Sequence, residues 1–128
     1  MKFSKIATLV ALSSILSIAT AGEIKPFNQQ EFDKLTQDGK PVVLEVTAPW
    51  CPTCRQQKPI IDGLMNQPAY KDVTLMAIDF DSAKPTLKTF KVNMQSTLIA
   101  FKGDKEVARS VGDTTPSGIE GLVKKTIN

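Results

Sequence analysis

Apolar and β-branched residues run almost unbroken through Pro41–Thr47 and again through Val73–Asp79. Short runs without alternation suit central strands covered on both faces. Between them, the stretch from Cys51 to about Asn66 reads as a helix. Pro52 is tolerated in its first turn, and a kink is expected at Pro59. Upstream, Asn28-Gln29-Gln30-Glu31 has the shape of a capping box. A short helix is expected from Gln29 to Gln37, ended by Asp38-Gly39. Downstream, Ser82 is the expected cap of a helix from about Ala83 to Phe90, with Pro85 in its first turn. Thr97–Lys102 and Lys105–Val111 flank Gly103-Asp104, a hairpin signal. Thr115-Pro116 opens a last helix reaching about Ile127. The order α-β-α-β-α-β-β-α predicts an α/β domain with a mixed central β-sheet and helices on both faces. No internal repeat or low-complexity tract interrupts it.

The first 21 residues follow another pattern. Lys2 and Lys5 precede a stretch from Ile6 to Ala19 that is free of charge, Gly and Pro, and Ala19-Thr20-Ala21 closes it with small residues. This order predicts a signal peptide over residues 1–21, cleaved after Ala21, with the working domain over 22–128. The alternative is a retained anchor. The run is shorter than the roughly 18 apolar residues a spanning helix needs, and it holds Ser13, Ser14 and Ser17. The expected location is therefore the periplasm, with no stable membrane insertion after cleavage.

Charge changes meaning once that segment is removed. The whole chain of 128 residues carries a formal +3. Without Lys2 and Lys5 it has 14 basic residues against 13 acidic ones. The remaining lysines are scattered, and only Lys124-Lys125 are adjacent, so no phosphate-tracking patch forms and no nucleic-acid partner is expected. The chain contains no His, which removes Ser-His-Asp and Cys-His catalysis and His-ligated metal sites. Nothing demands more than a monomer.

The chemistry lies in the two cysteines of Trp50-Cys51-Pro52-Thr53-Cys54. This C-x-x-C follows a buried strand and opens a helix, a context that reads as a redox motif. The spacing brings both sulfurs within one turn, where a disulfide can close and reopen with little backbone movement. The helix N-terminus offers unpaired N–H groups and partial positive charge, both of which favour a thiolate. A free thiol near pKa ~8.5 drops to roughly 3.5–7.5 in such places. Cys51 is the expected exposed, attacking sulfur. Cys54, one turn in, is expected to be buried and to release the mixed disulfide. The alternatives are a static disulfide, a metal site and a pair of core cysteines. A loop this short stabilises little by chain entropy, and two Cys without His half-fill a four-ligand zinc site.

From about Phe27 to its C-terminus the chain resembles the thioredoxin family, specifically an exported member. The resemblance rests on Trp50-Cys51-Pro52-Thr53-Cys54, Pro59, the Ile78-Asp79 strand end, Thr97–Lys102 with Gly103, and Gly112 before the last helix. It implies a thioredoxin fold and thiol–disulfide exchange, with Cys51 as nucleophile and Cys54 as resolving cysteine. No cofactor and no metal is implied.

Three positions depart from the family's pattern. A buried Asp is usual on the strand before the motif, and Glu45 stands there. A buried carboxyl could take the Cys54 proton, and burial would raise its pKa; the alternative is a Glu at a sheet edge facing water. A Lys often pairs with that carboxylate, and Leu75 is the expected equivalent, leaving Glu45 without a counter-charge. The family's cis-proline before Thr in the loop facing the cysteines is replaced by Ser96. A non-proline cis bond costs about 2.5–4 kcal/mol, so a trans Gln95–Ser96 bond is expected. Ser96 brings a hydroxyl near Cys51 that can donate to a thiolate, and it removes a rigid block that helps keep metals away from the sulfurs. As an alternative, it is a tolerated loop residue. Pro49, Trp50, Gln95, Ser96 and Thr97 are the expected substrate-binding surface, where a protein disulfide substrate lies extended beside the cysteines.

Direction depends on relative reduction potential. Pro52-Thr53 lacks the His often found in strongly oxidising members and the Gly-Pro of common reducing ones. The expectation is a periplasmic reductase or exchange protein kept reduced by a membrane electron donor. A different class, a redox-inactive binding module presenting Cys51 and Cys54 to a metal or client protein, is the alternative.

Overall fold

The structure is a computed structural model that describes Ala11, residues 13–15 and residues 20–128. The expected signal peptide falls largely outside the described residues. No described helix is long and apolar enough to cross a membrane.

Among the described residues ten elements follow in order: β1 (Glu23–Pro26), α1 (Gln29–Gln37), β2 (Pro41–Thr47), α2 (Pro52–Met65), a 3₁₀ turn (Pro68–Tyr70), β3 (Thr74–Asp79), α3 (Lys84–Thr89), β4 (Thr97–Lys102), β5 (Lys105–Val111) and α4 (Pro116–Lys124). The strands form one sheet in the order β1-β3-β2-β4-β5. β1 and β2 flank β3 in parallel; β4 is antiparallel to β2, and β5 to β4. This is the mixed sheet that the element order predicts, and the thioredoxin fold that the resemblance implies.

Alternation along β2 divides the core. Val42, Leu44 and Val46 face one side, with Phe32, Met76, Ile78, Leu87 and Ile99. Val43 faces the other, with Ile61, Leu64, Leu75, Leu98 and Ile119. Each layer covers one face of a sheet that has period-2 side chains, so helices are needed on both.

Helix boundaries follow local chemistry. The Asn28 side chain accepts from the Glu31 N–H at 2.9 Å and starts α1 where the capping pattern placed it. The Glu31 carboxylate turns to Lys25 instead of closing the box. Gly39, at φ +73, ends the helix in a conformation that suits glycine. α2 continues through Pro59. Ser82 does not cap α3: the N-cap is Ala83, without a side-chain bond, and Ser82 lies one residue earlier, its N–H donating to the Asp79 carboxylate at 3.1 Å. β1 was not legible in the sequence. Its single apolar residue, Ile24, sits among Glu23, Lys25 and Pro26, and pairing with β3 makes it a strand.

Candidate active site

The C-terminal end of β2 hands the chain to α2 through Ala48, Pro49 and Trp50. Cys51 is the N-cap of α2, and its Sγ accepts the Cys54 N–H at 3.1 Å. Cys51 and Cys54 are joined as a disulfide, with Cα atoms 5.3 Å apart. Both sulfurs therefore lie at the positive end of the helix dipole.

Exposure does not follow the expected division. Cys54 is buried, but Cys51 is buried too, at 0% exposure. The expectation of an exposed Cys51 is corrected: Ala48 and the half-buried Phe80 pack against the pair, and Ser96 stands in front of it. A reagent reaches Cys51 only by displacing one of these neighbours.

Ser96 meets both sulfurs. Its Oγ lies 3.1 Å from Cys51 Sγ and 3.1 Å from Cys54 Sγ. The described residues contain no cis peptide bond, so Gln95–Ser96 is trans. Ser96 instead takes φ +61, a left-handed conformation that costs a non-glycine residue about 1–3 kcal/mol. Its N–H donates to the Val46 carbonyl at 2.8 Å, and its carbonyl accepts from Gly112 at 3.0 Å. Next to it, the Thr97 hydroxyl donates to the Met94 carbonyl at 2.7 Å, and Gln95 is half-buried.

Glu45 is buried on the central strand, opposite Ala77 of β3 and Leu98 of β4, not at an edge facing water. It borders a cavity of about 390 Å³ that is shared with Cys54, Lys58 and Asp62. Burial pushes its carboxyl above the usual range; Lys58 pulls it partly back and Asp62 adds to the rise. Leu75 is packed in the core opposite Val43 and brings no charge. As expected, no strand residue among those described supplies a counter-charge; the exposed Lys58 of α2 is paired with Asp62 at 3.1 Å and acts on Glu45 only from a distance.

Pro49 and Trp50 are exposed beside the disulfide. The Trp50 ring stands edge-on to Phe80, with centroids 6.4 Å apart. Met94 is exposed as well. Pro49 and Trp50 thus lie exposed beside the disulfide; of the Met94–Thr97 segment, Ser96 meets the sulfurs, and Ser96 and Thr97 are both buried.

Sequence reasoning missed Gln57, Lys58 and Asp81. Gln57 is fully buried and donates to the Ser96 carbonyl at 3.3 Å and the Asp113 carbonyl at 2.8 Å. A signal for it existed: Cys54, Gln57, Ile61 and Leu64 form one helical stripe, and only Gln57 is polar. Lys58 sits one turn beyond Cys54. Asp81 lay in a loop with no pattern to mark it.

Comparison with known proteins agrees with this geometry. A thioredoxin family model matches residues 23–125. The chain is similar to the thioredoxin of Coprinus comatus, at 28% identity over 78% of this chain and 93% of that one. It is also similar to the thioredoxin of Chlamydia pneumoniae, at 31% over 80% of this chain and 97% of that one. The crystal structure of Trxlp from Edwardsiella tarda EIB202 superimposes with a TM-score of 0.75 and 37% identity, covering 78% of this chain and 98% of the other.

Proposed function

The chain belongs to the thioredoxin family and is a thiol–disulfide oxidoreductase, and from that premise we propose that Cys51 and Cys54 reduce or exchange disulfides in exported proteins. The observation that supports this reading most is the Cys51–Cys54 disulfide at the head of α2, with Cys51 as cap. Once reduced, a Cys51 thiolate gains from the Cys54 N–H and the helix dipole. It attacks a substrate disulfide, and Cys54 then attacks Cys51 and frees the substrate. Glu45, in the cavity behind Cys54, takes the proton that Cys54 must lose. Pro49, Trp50 and the Met94–Thr97 segment receive the extended substrate.

The segment over residues 1–21 supports a periplasmic location, and Pro52-Thr53 supports a reducing role sustained by a membrane electron donor. Trapping tests the substrate class. A Cys54→Ser variant cannot resolve its mixed disulfides and is expected to accumulate them with exported proteins. Adducts confined to cytoplasmic proteins would contradict the proposal. Titration against glutathione tests direction: a potential near about −120 mV, that of a strong oxidant, would reverse it.

A further inference from the structure

The Ser96 hydroxyl is equidistant from the two sulfurs, 3.1 Å from each. Sulfurs joined in a disulfide carry no proton, so the hydroxyl is the donor to both, with one proton for two acceptors. Ser96 is 2% exposed, and its Oγ has no other hydrogen-bond partner among the described residues. Its left-handed backbone is held from three sides, by the Val46 carbonyl, the Gly112 N–H and the Gln57 side chain. A strained conformation persists where the surroundings over-determine it, and such strain clusters at working sites.

We propose that the Ser96 hydroxyl serves the two sulfurs in turn, donating to the Cys51 thiolate of the resting dithiol and then to the Cys54 thiolate once Cys51 is tied into a mixed disulfide. The inference rests on the oxidoreductase reading above. In the first step Cys51 attacks one sulfur of the substrate disulfide. That S–S bond breaks, and the other sulfur leaves as a thiolate that takes a proton from water. Cys51 Sγ is then uncharged and a weak acceptor, so the hydroxyl turns to the sulfur that is developing charge. Cys54 loses its proton to Glu45 or water and attacks Cys51 Sγ. The mixed disulfide breaks, the second substrate thiolate leaves, and two electrons have passed from the dithiol to the substrate. Ser96 keeps its proton throughout. Hydrogen bonds to ionised groups are about twice as strong as neutral ones, so the donor follows the charge. A proline at this position has no group to donate.

Two variants test this: Ser96→Ala, and Ser96→Gly, which accepts φ +61 without strain. The first readout is the pH dependence of Cys51 alkylation in the reduced protein. The second is the rate, across pH, at which Cys54 expels thionitrobenzoate from a preformed Cys51 mixed disulfide. Both variants are expected to shift the midpoints of both profiles to higher pH by about one unit, the scale of one hydrogen bond to a charged group, a shift that easier access past a shortened side chain does not mimic. A change in one step alone, or in neither, overturns the shared donor. Insulin turnover by the unaltered protein separates the two ideas. With turnover intact and both variant profiles unchanged, the inference fails and the oxidoreductase reading stands; without turnover, both fall.

Discussion

The Trp50 indole N–H donates to the Asp81 carboxylate at 2.7 Å, tying the segment before the disulfide to the loop after β3. The ring is about half exposed yet held in orientation by this bond and by Phe80. An exposed aromatic that is already ordered loses little further entropy on binding. Asp81→Ala is expected to raise the KM for insulin severalfold and to leave the reduction of a small aromatic disulfide nearly unchanged. Steady-state kinetics with both substrates checks this; equal effects on the two would assign Asp81 to stability instead.

Glu45 sets a pH dependence. Its carboxyl titrates above the ordinary glutamate value because it is buried. Between the ordinary and the raised value the folded protein holds a proton that the unfolded chain has released. Stability from this group is full below the ordinary pKa and is lost as pH rises through the raised one. Glu45→Gln is expected to be more stable than the parent at pH 7, with the difference vanishing below about pH 4. Its mixed disulfide is expected to resolve more slowly. Denaturant melts at the two pH values check the first point; a variant less stable at pH 7 would contradict it.

Gln57→Leu separates stability from positioning. The change removes donors to the Ser96 and Asp113 carbonyls, each worth about 1 kcal/mol. It also removes Oε1, which is buried without a partner among the described residues and costs about 1–3 kcal/mol. These effects offset, so net stability is expected to stay within about 1 kcal/mol of the parent. Hydrogen exchange at the Ser96 and Gly112 amides is expected to quicken. Unchanged exchange would remove Gln57 from the support of this loop.

Gly22 occupies a tight seat. A Cβ there would lie 2.6 Å from Met65 Cε, 2.6 Å from the Tyr70 carbonyl oxygen and 2.9 Å from that of Val73. Two of these three neighbours are backbone atoms that cannot swing aside. Gly22→Ala is expected to cost about 1–3 kcal/mol by overpacking, or at least about 4 °C in Tm for a domain of this size. An unchanged melting temperature would show that β1 shifts freely at its start.

Much of this architecture was visible in residue patterns. β2, β3 and β4 announced themselves because their apolar runs reflect burial on two faces, the exposed β5 because Gly103-Asp104 marks the hairpin turn before it, and α1 because Asn28 caps it. β1 stayed hidden because its order comes from pairing with β3, not from its own four residues. The cysteines were legible from their spacing, and Ser96 through the resemblance, which places the residue before Thr97 opposite the cysteines. The burial of Cys51 was not, because the cover comes from Ala48, Phe80 and Ser96 together. Lys58, which acts on Glu45 from a distance, was missed because a partner was sought on a strand.

Insulin reduction by the unaltered protein, Cys51→Ser and Cys54→Ser, with dithiothreitol as electron source, tests the working dithiol most directly. The account expects precipitation of the insulin B chain well ahead of the uncatalysed reaction for the unaltered protein, and no acceleration for either variant. An unaltered protein no faster than its two variants would contradict it.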